Sequence, residues 1–363
     1  MRSLFKPIKI KNLEIPNRIV MAPMTRSMSP DGIPTQQNKD YYQRRAAADV
    51  GLIVTEGVEV SHPASSGYPN VPNLRAPSHD GWKDLIEGVH TEGATIFCQL
   101  WHVGGIRKEG MGPNPEVPGY TPSGLVRKDK KVAYEMTEND IADLIDNYVS
   151  DIETIKMLGF DGVELHGAHG YMIDQFFWRD TNVRNDQYGN NADLRTKFIC
   201  EIVSQARSKV GEDFPIALRF SQWKQQDYDA ILAKTPQELE TFLGPISQAG
   251  VDVFHASTRR YWEPEFEGSE MNLAGWTKKI TNKPAITVGS VGLDSDFITF
   301  YAGNDKSNPA SIDGLVKRLE DEEFDMIAVG RALLSDPEWA KKVKEGRQDQ
   351  IVGFSKEFVE KYY

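Results

Sequence analysis

The stretch TENDIADLIDNYVSDIETIKMLGFDGVELHGAHG, residues 137–170, contains one helix and one strand in succession, and its reading decides the fold. Ile141, Leu144, Ile145, Tyr148, Val149, Ile152 and Ile155 recur at the three- and four-residue spacing of an amphipathic helix. Thr137 with Asp140 three residues on is an acidic form of the capping pattern, and Gly159 is a stop signal. Behind the glycine comes GVELHG (162–167), a short apolar run bounded by small and polar residues. A helix followed by a strand of this kind is half of a β/α repeat.

Seven more such runs extend outward from it: IVMAPMT (19–25), GLIVTEG (51–57), ATIFCQLW (94–101), PIALRFS (215–221), VDVFHAS (251–257), PAITVGS (284–290) and DMIAVGR (325–331). Continuous Val/Ile/Leu runs belong to strands buried on both faces, and their alternation with helices predicts a parallel sheet. Residues 191–211 and 235–250 are further helices ending in glycine. Eight units predict an α/β chain folded as a single (β/α)8 TIM barrel, one domain over 1–363. An open doubly wound sheet is the rival, but it normally shows GxGxxG after its first strand, where this chain has APMTRS. Residues 102–136 and 258–275 exceed the bare repeat. They are expected to be insertions at the C-terminal ends of strands 3 and 6, forming lids or substrate walls.

The chain's 363 residues carry a net charge of −11 and a pI near 5.3, which exclude generic nucleic-acid binding. No run approaches the ~20 apolar residues of a membrane span, and the N-terminus lacks a signal peptide's apolar core. Cys98 and Cys200 have no CxxC or zinc-type neighbours, and two cysteines are too few for a four-thiolate cluster. The expectation is a cytoplasmic monomer or homodimer with a small-molecule partner, and neither a nucleic-acid nor a membrane partner.

Residues at the C-terminal ends of barrel strands face the active site. Here they include Thr25, Gly57, Gln99 with Trp101, His166 with His169 and Tyr171, Arg219, His255 and Ser257, Gly289 with Ser290, and Gly330 with Arg331. VGSVG (288–292) leaves backbone N–H groups unobstructed, and Arg331 stands at a helix start, a combination that suits a phosphate at strands seven and eight. Arg219 ends an apolar run. It either pairs with a structural acid or stabilises negative charge on a ligand. His166 and His169 have three readings: a structural pair, a grip on a neutral-to-anionic organic ligand, or, with His255, a metal site for a barrel hydrolase or lyase.

QLWHVG (99–104), ELHGAHGYMIDQFF (164–177), NVRNDQYGNN (182–191) and VGRALLSDP (329–337) stand in an order that resembles the old yellow enzymes, FMN-dependent ene-reductases on a (β/α)8 barrel. The resemblance covers about nine tenths of the chain. It implies non-covalent FMN, hydride from NADPH or NADH, and reduction of the activated C=C bond of α,β-unsaturated carbonyl or nitro compounds. Pro23 and Thr25 match the first strand's flavin contacts, Thr25 reaching flavin O4 where another branch of the family has cysteine. Gly57 and Gln99 match the pyrimidine side, Arg219 the cation beside N1 and O2, and Gly289, Ser290, Gly330 and Arg331 the phosphate region. His166 and His169 match the pair that holds the substrate oxygen, with His166 also beside the flavin. Tyr171 matches the proton donor, and Trp101 a variable substrate-pocket position. The chain's length and cysteine count set it apart from relatives with an iron–sulfur cluster and an appended domain. The tail VGFSKEFVEKYY (352–363) and residues 258–275 match no part of the pattern.

Overall fold

In the computed structural model, residues 1–189, 191–303 and 306–363 are described; Asn190 of the NVRNDQYGNN motif lies outside them. The barrel strands are β1 (Ile19–Met21), β2 (Leu52–Glu59), β3 (Thr95–Trp101), β4 (Gly162–His169), β5 (Ile216–Lys224), β6 (Val253–Ser257), β7 (Ala285–Val288) and β8 (Met326–Val329). Each is followed by a helix: α1 (Gln36–Ala46), α2 (His79–Thr91), α3 (Glu138–Leu158), α4 (Ala192–Val210), α5 (Pro236–Ala249), α6 (Leu273–Thr281), α7 (Asp313–Glu320) and α8 (Arg331–Ser335). Every neighbouring strand pair is parallel, and β8 pairs with β1, so the sheet closes into the expected barrel.

α3 begins and ends where its sequence signals stand. Asp140 N donates to Thr137 Oγ1 at 3.2 Å, Thr137 N donates back to Asp140 Oδ2 at 2.7 Å, and Gly159 takes φ 99°. Only a residue without Cβ adopts that angle cheaply. Inside the barrel, Val20, Leu52, Phe97, Ala217, Val253, Ile286 and Met326 form an apolar layer. Ile10 and Ile15, from a hairpin of Ile8–Ile10 and Leu13–Ile15, pack in the same cluster. Those strands of three residues are too short for a periodicity to declare them.

Strand ends differ from the sequence expectation where the site is built. β1 stops at Met21, so Pro23 and Thr25 lie in the loop beyond it. β4 runs on to His169, with a register shift against β5 between Gly167 and His169. The irregularity re-aims the strand's last side chain, as a bulge does. The unmatched tail docks at Tyr41 of α1: Tyr362 stacks on Tyr41 with centroids 4.4 Å apart, and Arg26 Nη2 donates to the Lys361 carbonyl at 2.7 Å. Among the described residues, no helix is long and apolar enough to cross a membrane.

Candidate active site

A cavity of about 460 Å3 opens at the C-terminal end of the barrel. Eight of the sequence-singled residues line it: Pro23, His169, Arg219, Ser257, Gly289, Ser290, Gly330 and Arg331. Gly57, Gln99, Trp101, His166 and Tyr171, from the β2–β4 side, are not among its walls, and Thr25 is exposed on its loop. The reason is packing. Trp101 lies against Gly57 so closely that a Cβ on Gly57 would sit 2.4 Å from the indole, and Trp101 is stacked with Tyr68 at 5.7 Å and His166 at 6.5 Å.

The His–Tyr turn is assembled from β4 and the segment after it. His166 meets His169 edge-on with centroids 5.1 Å apart and Tyr171 at 4.8 Å; Tyr171 in turn abuts Trp101 at 5.3 Å. His169 adopts φ 64°, a left-handed conformation that a histidine holds only when its surroundings impose it. Several contacts do so. His169 N donates to Ser221 Oγ at 2.9 Å, Gly170 N donates to Asp174 Oδ2 at 2.7 Å, and the fully buried Lys224 ammonium meets Asp174 at 2.7 Å. Gly170, at φ 77°, has no room for a Cβ, which would fall 1.9 Å from Gln226 Oε1. Above the turn, Trp223 stacks on His169 at 4.4 Å.

Both imidazoles are held neutral. Burial depresses the basicity of each well below the ordinary histidine value, and Arg219 adds repulsion. Ala168 N donates to His166 Nδ1 at 3.4 Å, which leaves the Nε2 proton available as a donor. Burial raises the Tyr171 phenol above the usual tyrosine range, so it carries its proton at neutral pH.

Below the turn lies a buried polar layer that strand-end reading missed. Glu164 Oε1 accepts from Gln99 Nε2 at 2.8 Å, and Oε2 pairs with His255 Nδ1 at 2.7 Å. Glu164 is two residues before His166 on β4, hence on the same face; that period-two relation was the available signal. It also resolves the Arg219 alternatives in part. Arg219 feels the Glu164 charge, yet its Nη2 donates to Ser257 Oγ at 3.3 Å, and its buried Nε has no partner among the described residues. A buried cation facing the cavity with donor capacity to spare fits an anionic, hydrogen-bond-accepting ring.

At the far end, Gly289 takes φ 140° and Ser290 φ 52°, a turn in which a Cβ on Gly289 would lie 2.7 Å from Thr258 Oγ1. Arg331 reaches Ser307 Oγ at 3.4 Å and also the Ser295 carbonyl. Arg259, which the sequence reading left unassigned within the 258–275 stretch, joins this wall, as do Gln225, Tyr228 and Phe297. Two arginines beside a glycine turn suit a phosphate. The residues therefore fit a flavin mononucleotide, with a buried cation at one end of the cavity and two arginines beside a glycine turn at the other.

The metal alternative fails on geometry. His255 is fully buried, with its Nδ1 committed to Glu164 Oε2 at 2.7 Å. Among the described residues, no three His, Cys, Asp or Glu side chains are grouped to hold an ion.

Such a barrel, with a buried arginine at one end of its mouth and an arginine-lined glycine turn at the other, is built for a phosphorylated cofactor. Residues 3–350 match the NADH:flavin oxidoreductase / NADH oxidase family. The chain belongs to this family, that of the old yellow enzymes, whose cofactor is FMN. It is 37% identical over 361 residues to an NADH oxidase of Thermoanaerobacter brockii, covering 96% of this chain and 52% of that protein. It is 31% identical to the flavin oxidoreductase hxnT of Emericella nidulans, covering 94% of this chain and 90% of that one. The chain thus spans about half the length of the first relative and nearly all of the second. Among solved structures, a point mutant of morphinone reductase in complex with tetrahydroNAD superposes with TM-score 0.78 at 26% identity, over 97% of this chain and 92% of that one.

Proposed function

We propose that this chain is an ene-reductase: with FMN it takes hydride from NADPH or NADH and reduces the activated C=C bond of α,β-unsaturated carbonyl or nitro compounds. The observation that carries the reading is the convergence of two neutral imidazoles and one protonated phenol, His166, His169 and Tyr171, within 5.1 Å of one another through His166 at the edge of the Arg219 cavity. A solved relative that holds tetrahydroNAD supports a nicotinamide as the donor.

FMN, when bound, supplies the hydride acceptor and donor. The histidines hold the carbonyl or nitro oxygen as neutral N–H donors, which withdraws electron density from the β-carbon. Tyr171 delivers its proton to the α-carbon. Arg219 stabilises negative charge where the ring's N1 and O2 would lie, and Gly289, Ser290, Gly330 and Arg331 hold the phosphate. Gly57, Gln99, Pro23 and Thr25 complete the ring's edge, while Trp101 and the stretches 102–136 and 258–275 form substrate walls. Turning the Trp101 ring off Gly57 opens that edge.

The test is optical. Purified protein should be yellow and release FMN on heating; NADPH should bleach it under nitrogen, and 2-cyclohexenone should restore the colour. A colourless protein that does not take up FMN would refute the reading.

A further inference from the structure

Beside Thr25 and Gly57, at the proposed edge of the flavin ring, stand two charged residues with no part in the reaction, Arg26 and Glu56. Both are buried, and neither lines the cavity. Glu56 Oε2 accepts from two successive backbone N–H groups, Arg26 N at 2.9 Å and Ser27 N at 3.0 Å. Ser27 takes φ 54°, a left-handed conformation that a serine holds only under constraint, and the convergence of these N–H groups on one oxygen supplies it. Glu56 thus fixes the loop immediately after Thr25. Its other oxygen, Oε1, is buried without a partner among the described residues, and burial lifts the carboxyl to about 7. An under-satisfied buried acid is a costly way to make a turn that serves only packing.

Arg26 carries the bracket outward. Its Nη1 donates to Tyr41 Oη of α1 at 3.2 Å, and its Nη2 donates to the carbonyls of Val359 at 3.0 Å and Lys361 at 2.7 Å. Those carbonyls lie at the end of a helical turn, Glu357–Glu360, where a guanidinium satisfies groups that the helix leaves open. The same guanidinium lies 5.2 Å from the ring centroids of both Tyr41 and Tyr362. Tyr362 Oη accepts from Asn38 Nδ2 of α1 at 2.8 Å, which holds the segment down. Residues 357–363 therefore reach the Thr25 loop through a single side chain.

We propose that residues 357–363, acting through Arg26 and Glu56, position the Thr25 hydroxyl against the flavin, an inference that rests on the ene-reductase reading and its placing of Thr25 at flavin O4. Arg26 and Glu56 are positioning residues. Reduced flavin carries more negative charge than oxidised flavin, so a hydroxyl held at its oxygen stabilises the reduced form. Release of the loop favours the oxidised form. A segment that merely packed on α1 would change the protein's stability and leave the flavin's potential alone.

The test is a double-mutant cycle on the FMN-loaded enzyme: wild type, a variant lacking residues 357–363, Thr25→Ala, and the two changes together. Spectroelectrochemical titration gives the midpoint potential of each. The truncation should weaken the hold on reduced flavin about tenfold more than that on oxidised flavin, a fall of about 30 mV for a two-electron couple. Thr25→Ala alone should lower the potential by a similar amount, and truncation added to it should lower it no further. If the truncated chain does not fold, Arg26→Met, which keeps the stem and the backbone N–H, takes its place in the same cycle. An unchanged potential in the folded truncated or Arg26→Met enzyme would overturn the proposal, as would a Thr25→Ala enzyme with the wild-type potential. A fall of equal size with and without the Thr25 hydroxyl would overturn it too, because the effect would not then pass through Thr25. If the wild-type chain took up no FMN, the ene-reductase reading would fall and this inference with it.

Discussion

Glu164 Oε2 lies 2.7 Å from His255 Nδ1, and neither side chain has any solvent exposure. Burial alone would raise the Glu164 carboxyl, but His255, Arg219 and Gln99 together hold it below the usual carboxylate value, so it is an anion. That anion lies close enough to Arg219 to oppose the fall in basicity that burial imposes on the guanidinium. In Glu164→Gln the site becomes more positive by one charge, which favours the reduced, negatively charged flavin. The midpoint potential should rise by about 30 mV, equivalent to about 1.4 kcal/mol for a two-electron couple. Spectroelectrochemical titration measures it, and an unchanged or lowered potential would show that the carboxylate does not act on the flavin.

Tyr171→Phe separates the two half-reactions. Flavin reduction by NADPH needs no proton at a substrate carbon and should stay within a small factor of wild type. Reoxidation by 2-cyclohexenone should slow by ~10²–10⁴-fold, the usual loss for a positioned general acid. Quinones, protonated on oxygen by water, should reoxidise the variant almost normally. Equal losses with enone and quinone would mean that the phenol only packs against His166 and Trp101.

Gly57 and Trp101 are coupled by contact, because a Cβ at position 57 would fall 2.4 Å from Trp101 Cδ2. Gly57→Ala should destabilise the protein by about 1–3 kcal/mol, the range for overpacking a tight site. Adding Trp101→Leu should recover part of that loss. Urea denaturation of the double-mutant cycle gives the coupling energy; strict additivity would contradict the packing.

His62 and His102 form a neutral pair. Gly104 N donates to His102 Nδ1 at 3.0 Å, so His102 Nε2 carries the proton and donates to His62 Nδ1 at 3.0 Å. Burial lowers His62 from 6.5 to about 4. A depressed folded-state value means that the unfolded chain takes up the proton first. The stabilisation is therefore whole above the unfolded value and drains as pH falls toward the folded one. Between pH 7 and pH 5 the wild type should lose about 2 kcal/mol more stability than His62→Asn. Denaturation at the two pH values checks this, and equal losses would place His62 outside the effect.

The barrel and its order of units were legible because local physics writes them out. α3 carries its own cap, apolar stripe and stop, and each strand is a β-branched run that only a doubly covered sheet can bury. Arg219, Gly289, Ser290, Gly330 and Arg331 were legible for a related reason: strand number and strand end together put them at one mouth of the barrel.

What the strand pattern could not supply was depth and facing. Glu164 sits inside an apolar run, and only closure of the sheet shows that it faces Gln99 and His255 across the barrel. Trp223 stands near the end of β5, past the apolar run that marks the strand, and Arg259 and Phe297 come from the irregular stretches after β6 and β7; that all three meet at the cavity is set by distant packing. The same holds for Trp101, whose turn onto Gly57 depends on Tyr68 and His166, one of them thirty-three residues before it and the other sixty-five after it. The sequence by itself therefore determined the repeat, the family likeness and the chemistry on offer, since periodicity and caps act over a few residues. The tertiary structure alone decided which side chains meet, because contacts between strands far apart in the chain are set by barrel closure and register, which no local pattern encodes.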